Sequence, residues 1–206
     1  MNAQEAQNIK WSENIIIVDG DYIDHVAFDL IVNFERMLNR RIPAADFSQW
    51  AVNIALDGRL KPGNHETQVV LLHDKKNRKL ENFAPADYVK ELNGQAFKDP
   101  QLGEFIINAI ATDDEVAEKN NVLLDLLKTV LSHEEIKRIM LVPNAEDSHL
   151  MSTLRSTLRD ADDELKHITL FAMQPLEGGN FKQQILGYSL LNAMGISSSE
   201  IEQKIK

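Results

Sequence analysis

Cysteine is absent from the 206 residues, which excludes disulfides, thiolate metal sites and cysteine nucleophiles. Long apolar runs are also lacking, since no stretch approaches the ~20 residues needed to cross a bilayer. Residues 1–10 are polar and lack the apolar core of a signal peptide. The sequence therefore predicts a cytoplasmic protein that has no membrane partner.

Basic charge is scarce, because 22 Lys and Arg face 32 Asp and Glu and the formal net charge is −10. A negative surface is repelled by the phosphate backbone, so we do not expect duplex DNA as a partner. Two short basic clusters could still guide a nucleic-acid strand: Arg40-Arg41, and Lys75 to Lys79. Their alternative interpretation is a solvated helix end and a solvated hairpin tip.

Apolar residues make up 43% of the chain and follow two alternating patterns. Short apolar runs predict five buried strands, at residues 14–18, 67–72, 105–111, 139–142 and 167–172, although a helix is also open for 105–111. Stretches with apolar side chains every three or four positions predict helices between them, at residues 23–38, 43–56, 87–92, 114–131, 148–159 and 181–194.

Strands that alternate with helices favour right-handed crossovers rather than hairpins. The predicted fold class is therefore α/β: a doubly wound, mostly parallel sheet of about five strands with helices on both faces. We find no composition break, so one domain is expected over residues 1–206. Its core spans residues 10–196, and a short C-terminal helix spans 197–206.

Carboxylates follow four of the predicted strands. Asp19 and Asp21 follow the first strand, Asp74 the second, Asp113 and Asp114 the third, and Glu146 and Asp147 the fourth. Open parallel sheets bind ligands beyond these strand ends, and clustered oxygens suit Mg²⁺ or Mn²⁺. Asp19, Asp21, Glu146 and Asp147 are thus candidate metal ligands, and the competing interpretation makes each carboxylate a helix cap or turn residue.

Three segments carry a family resemblance. Asp19-Gly20-Asp21-Tyr22 follows the first strand, Asp125 lies in an apolar helix before the fourth strand, and Pro143-Asn144-Ala145-Glu146-Asp147 follows that strand. The order of elements and these segments resemble the NYN branch of the PIN-like nuclease superfamily, which has a Rossmann-like sheet.

The resemblance implies that Asp19, Asp125 and Asp147 are catalytic and that a divalent metal acts on single-stranded RNA. Tyr22 stands where the family has Asn, and Ala145 stands where it has its first Asp. Losing an acid weakens metal binding, so reduced or lost activity is expected. The alternative function is a non-catalytic protein-interaction module on the same fold, most simply a homodimer.

A second resemblance involves the same first segment. Asp19-Gly20-Asp21 after an apolar strand is similar to the Asp-x-Asp opening of haloacid dehalogenase-like phosphatases. Ile23 occupies the position where that pattern has Thr or Val, and Glu146-Asp147 only loosely echoes its later acidic motif. No convincing lysine motif is visible, so this hypothesis ranks third.

Overall fold

The protein is described by a computed structural model that covers residues 10–113, 116–159, 161, 165–178 and 181–205. A seven-stranded sheet runs through the middle of the described chain. Its strands are β1 (Asn14–Asp19), β3 (His65–Asp74), β5 (Ala96–Asp99), β6 (Gly103–Thr112), β7 (Arg138–Val142), β8 (His167–Ala172) and β9 (Lys182–Ile185). Two further strands, β2 (Ala45–Asp46) and β4 (Phe83–Ala84), form a small separate parallel sheet.

The sheet is mostly parallel, as the alternation of strands and helices predicts. Its strand order is β5-β6-β3-β1-β7-β8-β9, and the single antiparallel pair joins β5 to β6. All six residues of β1 are buried, because β3 and β7 flank this strand on its two sides. The chain winds outward through β3 and β6, and then returns to the other side of β1 with β7.

Helices cover the sheet. They are α1 (Gly20–Leu38), α2 (Phe47–Asp57), α3 (Val116–Ser132), α4 (Ser148–Thr157), α5 (Leu186–Ala193) and α6 (Ser198–Ile205), with a short π-helix at Tyr88–Leu92. Ile16 and Val18 of β1 pack with α1, α2 and α5 in one apolar cluster. Ile15 and Ile17 pack with α3 and α4 in a second cluster. Successive strand residues point to opposite faces, so the two clusters lie on opposite sides of β1.

The expected number of strands was too low. The five strands predicted from apolar runs correspond to β1, β3, β6, β7 and β8, and residues 105–111 are strand rather than helix. β5 and β9 were missed because both are short, edge-placed and only partly buried. β9 occupies the first part of the helix predicted at 181–194, which begins only at Leu186.

Helix bounds differ from prediction mainly at the starts. The helix expected from Pro43 begins at Phe47, because the Asp46 side chain accepts a hydrogen bond from the backbone N–H of Gln49 at 2.9 Å and caps it. Asp114, the expected start of α3, lies outside the described residues. Within the described chain, no helix is both long enough and apolar enough to span a bilayer.

Candidate functional site

Asp19 ends the central strand and begins α1. Its Oδ1 accepts a hydrogen bond from the backbone N–H of Tyr22 at 3.0 Å, which is the usual geometry of a helix N-cap. The side chain is only 1% exposed, because β3 and β7 flank the strand. The predicted position of Asp19 at the carboxyl edge of the sheet is therefore confirmed, and its side chain also caps α1.

A buried lysine pairs with both Asp19 and Asp21. The Lys119 Nζ lies 2.8 Å from Asp19 Oδ1 and 2.6 Å from Asp21 Oδ2, and the lysine side chain is 11% exposed. α3 supplies this residue from the face that also carries buried Leu123 and Leu127. The ammonium thus lies between the two carboxylates, where a metal ion shared by them would have to lie.

Asp21 has further protein donors. The backbone N–H of Asp74 donates to Asp21 Oδ2 at 2.8 Å, and the Asn77 side-chain amide donates to Asp21 Oδ1 at 2.6 Å. Asp21 therefore ties the start of α1 to the end of β3 and to the loop beyond it. Together with Lys119, these contacts use both oxygens of the Asp21 carboxylate.

Burial and ion pairing shift the pKa values of Asp19 and Lys119 in opposite directions. Burial raises the pKa of Asp19, and the Lys119 ammonium only partly opposes it. Burial alone would lower the pKa of Lys119, but Asp19 and Asp21 outweigh it and the pKa of the ammonium is raised. Lys119 therefore keeps its charge, and removing that charge would leave two acids without their counter-ion.

Asp147 is the N-cap of α4. Its Oδ1 accepts hydrogen bonds from the backbone N–H groups of His149 and Leu150, both at 3.0 Å. Its Oδ2 accepts a third bond, at 2.9 Å, from the side chain of Asn120. Asn120 follows Lys119 in α3, so adjacent residues of one helix connect Asp147 to the Asp19–Lys119–Asp21 cluster.

Removing the Asp147 carboxylate is expected to lower the free energy of unfolding by about 0.5–2 kcal/mol in Asp147→Ala, through loss of the cap. Asp147→Asn should retain most of the stability, because asparagine also accepts hydrogen bonds from amide groups. The N–H of Leu150, with Asn120 and His149, lowers the pKa of Asp147. The stabilisation is therefore full above the ordinary value of 3.8 and is lost as the pH falls below it. Urea unfolding near neutral pH and in acid checks both expectations.

Glu146 and Asp125 differ from Asp19, Asp21 and Asp147 in their surroundings. Glu146 is exposed, and its negative charge contributes to the raised pKa of Tyr22. The Asp125 side chain is 78% exposed and lies 3.5 Å from Lys128, on the solvent side of α3. The structure thus brings together Asp19 and Asp21, links Asp147 to them through α3, and does not bring Asp125 into this group.

Two buried tyrosines flank the cluster. Burial, with the charges of Glu146 and Asp19, raises the pKa of Tyr22 to about 12. Burial also raises the pKa of Tyr88, whose ring stacks on His73 with centroids 3.7 Å apart. A Cβ added to Gly20 would lie 2.7 Å from the Tyr88 hydroxyl, so glycine at this position permits the close approach of the two segments.

Stability should fall steeply in alkali. Folded Tyr22 holds its proton up to a pH of about 12, whereas the unfolded chain loses it near 10.0, so unfolding is favoured as the pH rises between these values. Lys119 acts in the same direction, because its stabilisation is full below 10.5 and is lost above the raised pKa of the folded state. Urea unfolding at about pH 9 and about pH 11 should show a smaller loss in Tyr22→Phe than in the wild type. An equal loss in both would contradict the assignment.

The described residues do not form a metal site as they are arranged. No three His, Asp or Glu side chains among them are grouped so that they could hold a metal ion. The carboxylates of Asp19, Asp21 and Asp147 already accept hydrogen bonds from ammonium, side-chain amide or backbone N–H groups. A divalent ion shared by Asp19 and Asp21 would have to displace Lys119.

Lys119 is the site residue that sequence reasoning missed. A weak signal was present, because Lys119 lies four residues before Leu123 and eight before Leu127, on the apolar stripe of α3. A lysine in such a stripe requires a buried partner. The sequence could not identify that partner, since Asp19 is 100 residues away.

The fold and the site define an α/β domain in which an aspartate at the end of the central strand and a second at the start of the next helix share one lysine from a later helix. The chain belongs to the Family of unknown function (DUF6621), whose sequence pattern matches residues 8–201. No curated protein and no solved structure matches the chain.

Proposed function

We propose that this chain is a doubly wound, PIN-like domain that has lost metal-dependent RNA cleavage. It would then act as a non-catalytic module that binds other proteins. The observation that carries the proposal is the Lys119 ammonium, within 2.8 Å of Asp19 and 2.6 Å of Asp21. The ammonium occupies the position between the two carboxylates and supplies one positive charge where a divalent ion would supply two. It offers neither a bound water nor an open coordination position for hydrolysis.

The two departures from the NYN pattern support the same conclusion. Tyr22 replaces the family's Asn and Ala145 replaces its first Asp, and Ala145 packs against the apolar cluster that contains Tyr22. Tyr22 is buried and packs in the apolar cluster formed by α1 and α2. A tyrosine that fills this space, in contact with the segment after β7, leaves a packed strand edge where the family has polar ligands.

A metal titration followed by thermal melting tests the proposal. A ligand that binds only the folded state must raise the melting temperature by mass action. We expect no rise with Mn²⁺ or Mg²⁺ up to about 1 mM, about the level at which weak sites saturate. We also expect single-stranded RNA to remain intact in the same buffers.

The contradicting result is equally definite. If Mn²⁺ raises the melting temperature of the wild type but not that of Asp21→Asn, the metal displaces Lys119. RNA cleavage that requires Mn²⁺ and is lost in the same variant would restore the nuclease hypothesis. Asp125→Asn is the matched control, because this exposed acid lies outside the cluster.

A phosphatase is the second candidate, and Lys119 is the observation that favours it. The Asp-x-Asp resemblance came without a convincing lysine motif in the sequence, and in the structure Lys119 pairs with both aspartates of Asp19-Gly20-Asp21. Against this function, the Asp19 side chain is 1% exposed and a substrate phosphorus atom could not reach it without local opening. Hydrolysis of a generic phosphate ester in Mg²⁺, abolished in Asp19→Asn, would support the phosphatase; we expect none.

A further inference from the structure

A second feature lies beside the carboxylate cluster, at the carboxyl ends of β3 and β6. A cleft of about 460 Å³ opens between these strand ends and the π-helix. Ala109 and Ala111 of β6 and the buried ring of Tyr88 form its apolar part. Its volume falls within the range of small-molecule sites, and ligands of open parallel sheets bind at this edge.

The charge of the cleft is opposite to that of the chain. Three cationic side chains line it, Lys75, Arg78 and Lys90, against the single carboxylate of Asp87. The Asp87 carboxylate accepts hydrogen bonds from the backbone N–H groups of Val89 and Lys90, at 3.0 and 2.9 Å. Lys75 is paired with Asp113. Among the residues that line the cleft, cationic side chains therefore outnumber carboxylates, on a protein whose net charge is −10.

The walls of the cleft are held in place by the fold. The rings of His73 and Tyr88 stack within 5° of parallel, and both side chains are buried. The side-chain carbonyl of Asn93 accepts a hydrogen bond at 3.0 Å from the backbone N–H of Ala109, which fixes the far wall to β6. Fixed walls lower the ordering cost of binding in the cleft.

We propose that this cleft binds a phosphate monoester carried by a small organic group of mononucleotide size. Arg78 is suited to hold a phosphate through two parallel N–H donors, and Lys90 adds a point charge. The apolar surface of Tyr88, Ala109 and Ala111 would cover the organic part of the ligand. This inference goes beyond the proposed loss of cleavage and does not depend on it, because none of these side chains belongs to the Asp19–Lys119–Asp21 cluster.

Calorimetric titration of the full chain in low salt tests the site. The probes are a nucleoside 5′-monophosphate, the same nucleoside without phosphate, inorganic phosphate, and a single-stranded RNA with a 5′-phosphate. We expect the mononucleotide to bind at least tenfold more tightly than inorganic phosphate, and the nucleoside not to bind. The RNA arm shows whether the monoester is taken free or at a chain end.

Two exposed substitutions and a control locate the binding. Arg78→Gln and Lys90→Gln should each weaken mononucleotide binding at least tenfold, since each removes a charged donor. Lys98→Gln should leave the affinity unchanged, because Lys98 lies on β5 beside the start of β6, at the other end of the strand from the cleft. Equal affinity for phosphate and mononucleotide, no saturable binding, or equal weakening in all three variants would overturn the proposal. A metal-dependent nuclease activity would not affect it.

Discussion

Lys119→Met is expected to lower the free energy of unfolding by about 3–5 kcal/mol, the usual cost of removing one partner of a buried ion pair. The substitution preserves most of the apolar stem, which lies one helical turn before Leu123, and removes the ammonium. Asp19, which is 1% exposed, would then carry an uncompensated charge or take up a proton. Urea unfolding at neutral pH measures the loss.

A matched control lies on the same helix. Lys128 is 62% exposed and its Nζ lies 3.5 Å from Asp125 Oδ1, so Lys128→Met should change the unfolding free energy by less than about 1 kcal/mol. The double variant Asp19→Asn/Lys119→Met should regain part of the loss, because asparagine can still cap α1 and the buried charge is removed. If Lys119→Met costs no more than Lys128→Met, the pair does not hold the strand edge together.

Gly103→Ala is the second large effect that we expect, at about 2–5 kcal/mol of lost stability. Gly103 begins β6 with a φ of +94°, where L residues are strained. A Cβ there would lie 2.2 Å from the carbonyl oxygen and 2.5 Å from the amide nitrogen of His65. Since these are backbone atoms of the neighbouring strand, the β3–β6 pairing must open at its first residue pair.

Gly94 serves as a comparison, because a substitution there has the cost of a positive φ without steric overlap. Its φ is +72°, and an added Cβ would have no atom within 4 Å. Gly94→Ala should therefore cost only the conformational part, about 1–2 kcal/mol. Thermal or urea unfolding of both variants gives the comparison, and equal losses would show that the close contact with His65 is relieved cheaply.

Much of the fold could be predicted because buried strands appear in the sequence as local runs of apolar residues. β1 and β3 are flanked by strands on both sides, so their residues form continuous apolar runs such as Ile15 to Val18. β9 has no such run: it reads Lys-Gln-Gln-Ile, and Ile185 is at helical spacing from the apolar residues of α5 that follow. Its pairing with β8 is a tertiary contact that the local sequence does not record.

The site was predictable only in part, for the same reason. Asp19 and Asp21 follow an apolar strand, and parallel topology alone places them at one edge. The partner of these acids is set by packing, which orients Lys119 of α3 inward and Asp125 of the same helix outward. Residue type and spacing could not distinguish a carboxylate that binds a metal ion from one that accepts a hydrogen bond from a lysine.

The two edge strands of the main sheet, β5 and β9, carry polar side chains. β5 carries Lys98 and Asp99, and β9 begins with Lys182 and two glutamines. Charged and amide side chains along the outermost strands discourage another chain from adding its own strand there. Pairing of two copies edge to edge into a continuous sheet is therefore disfavoured.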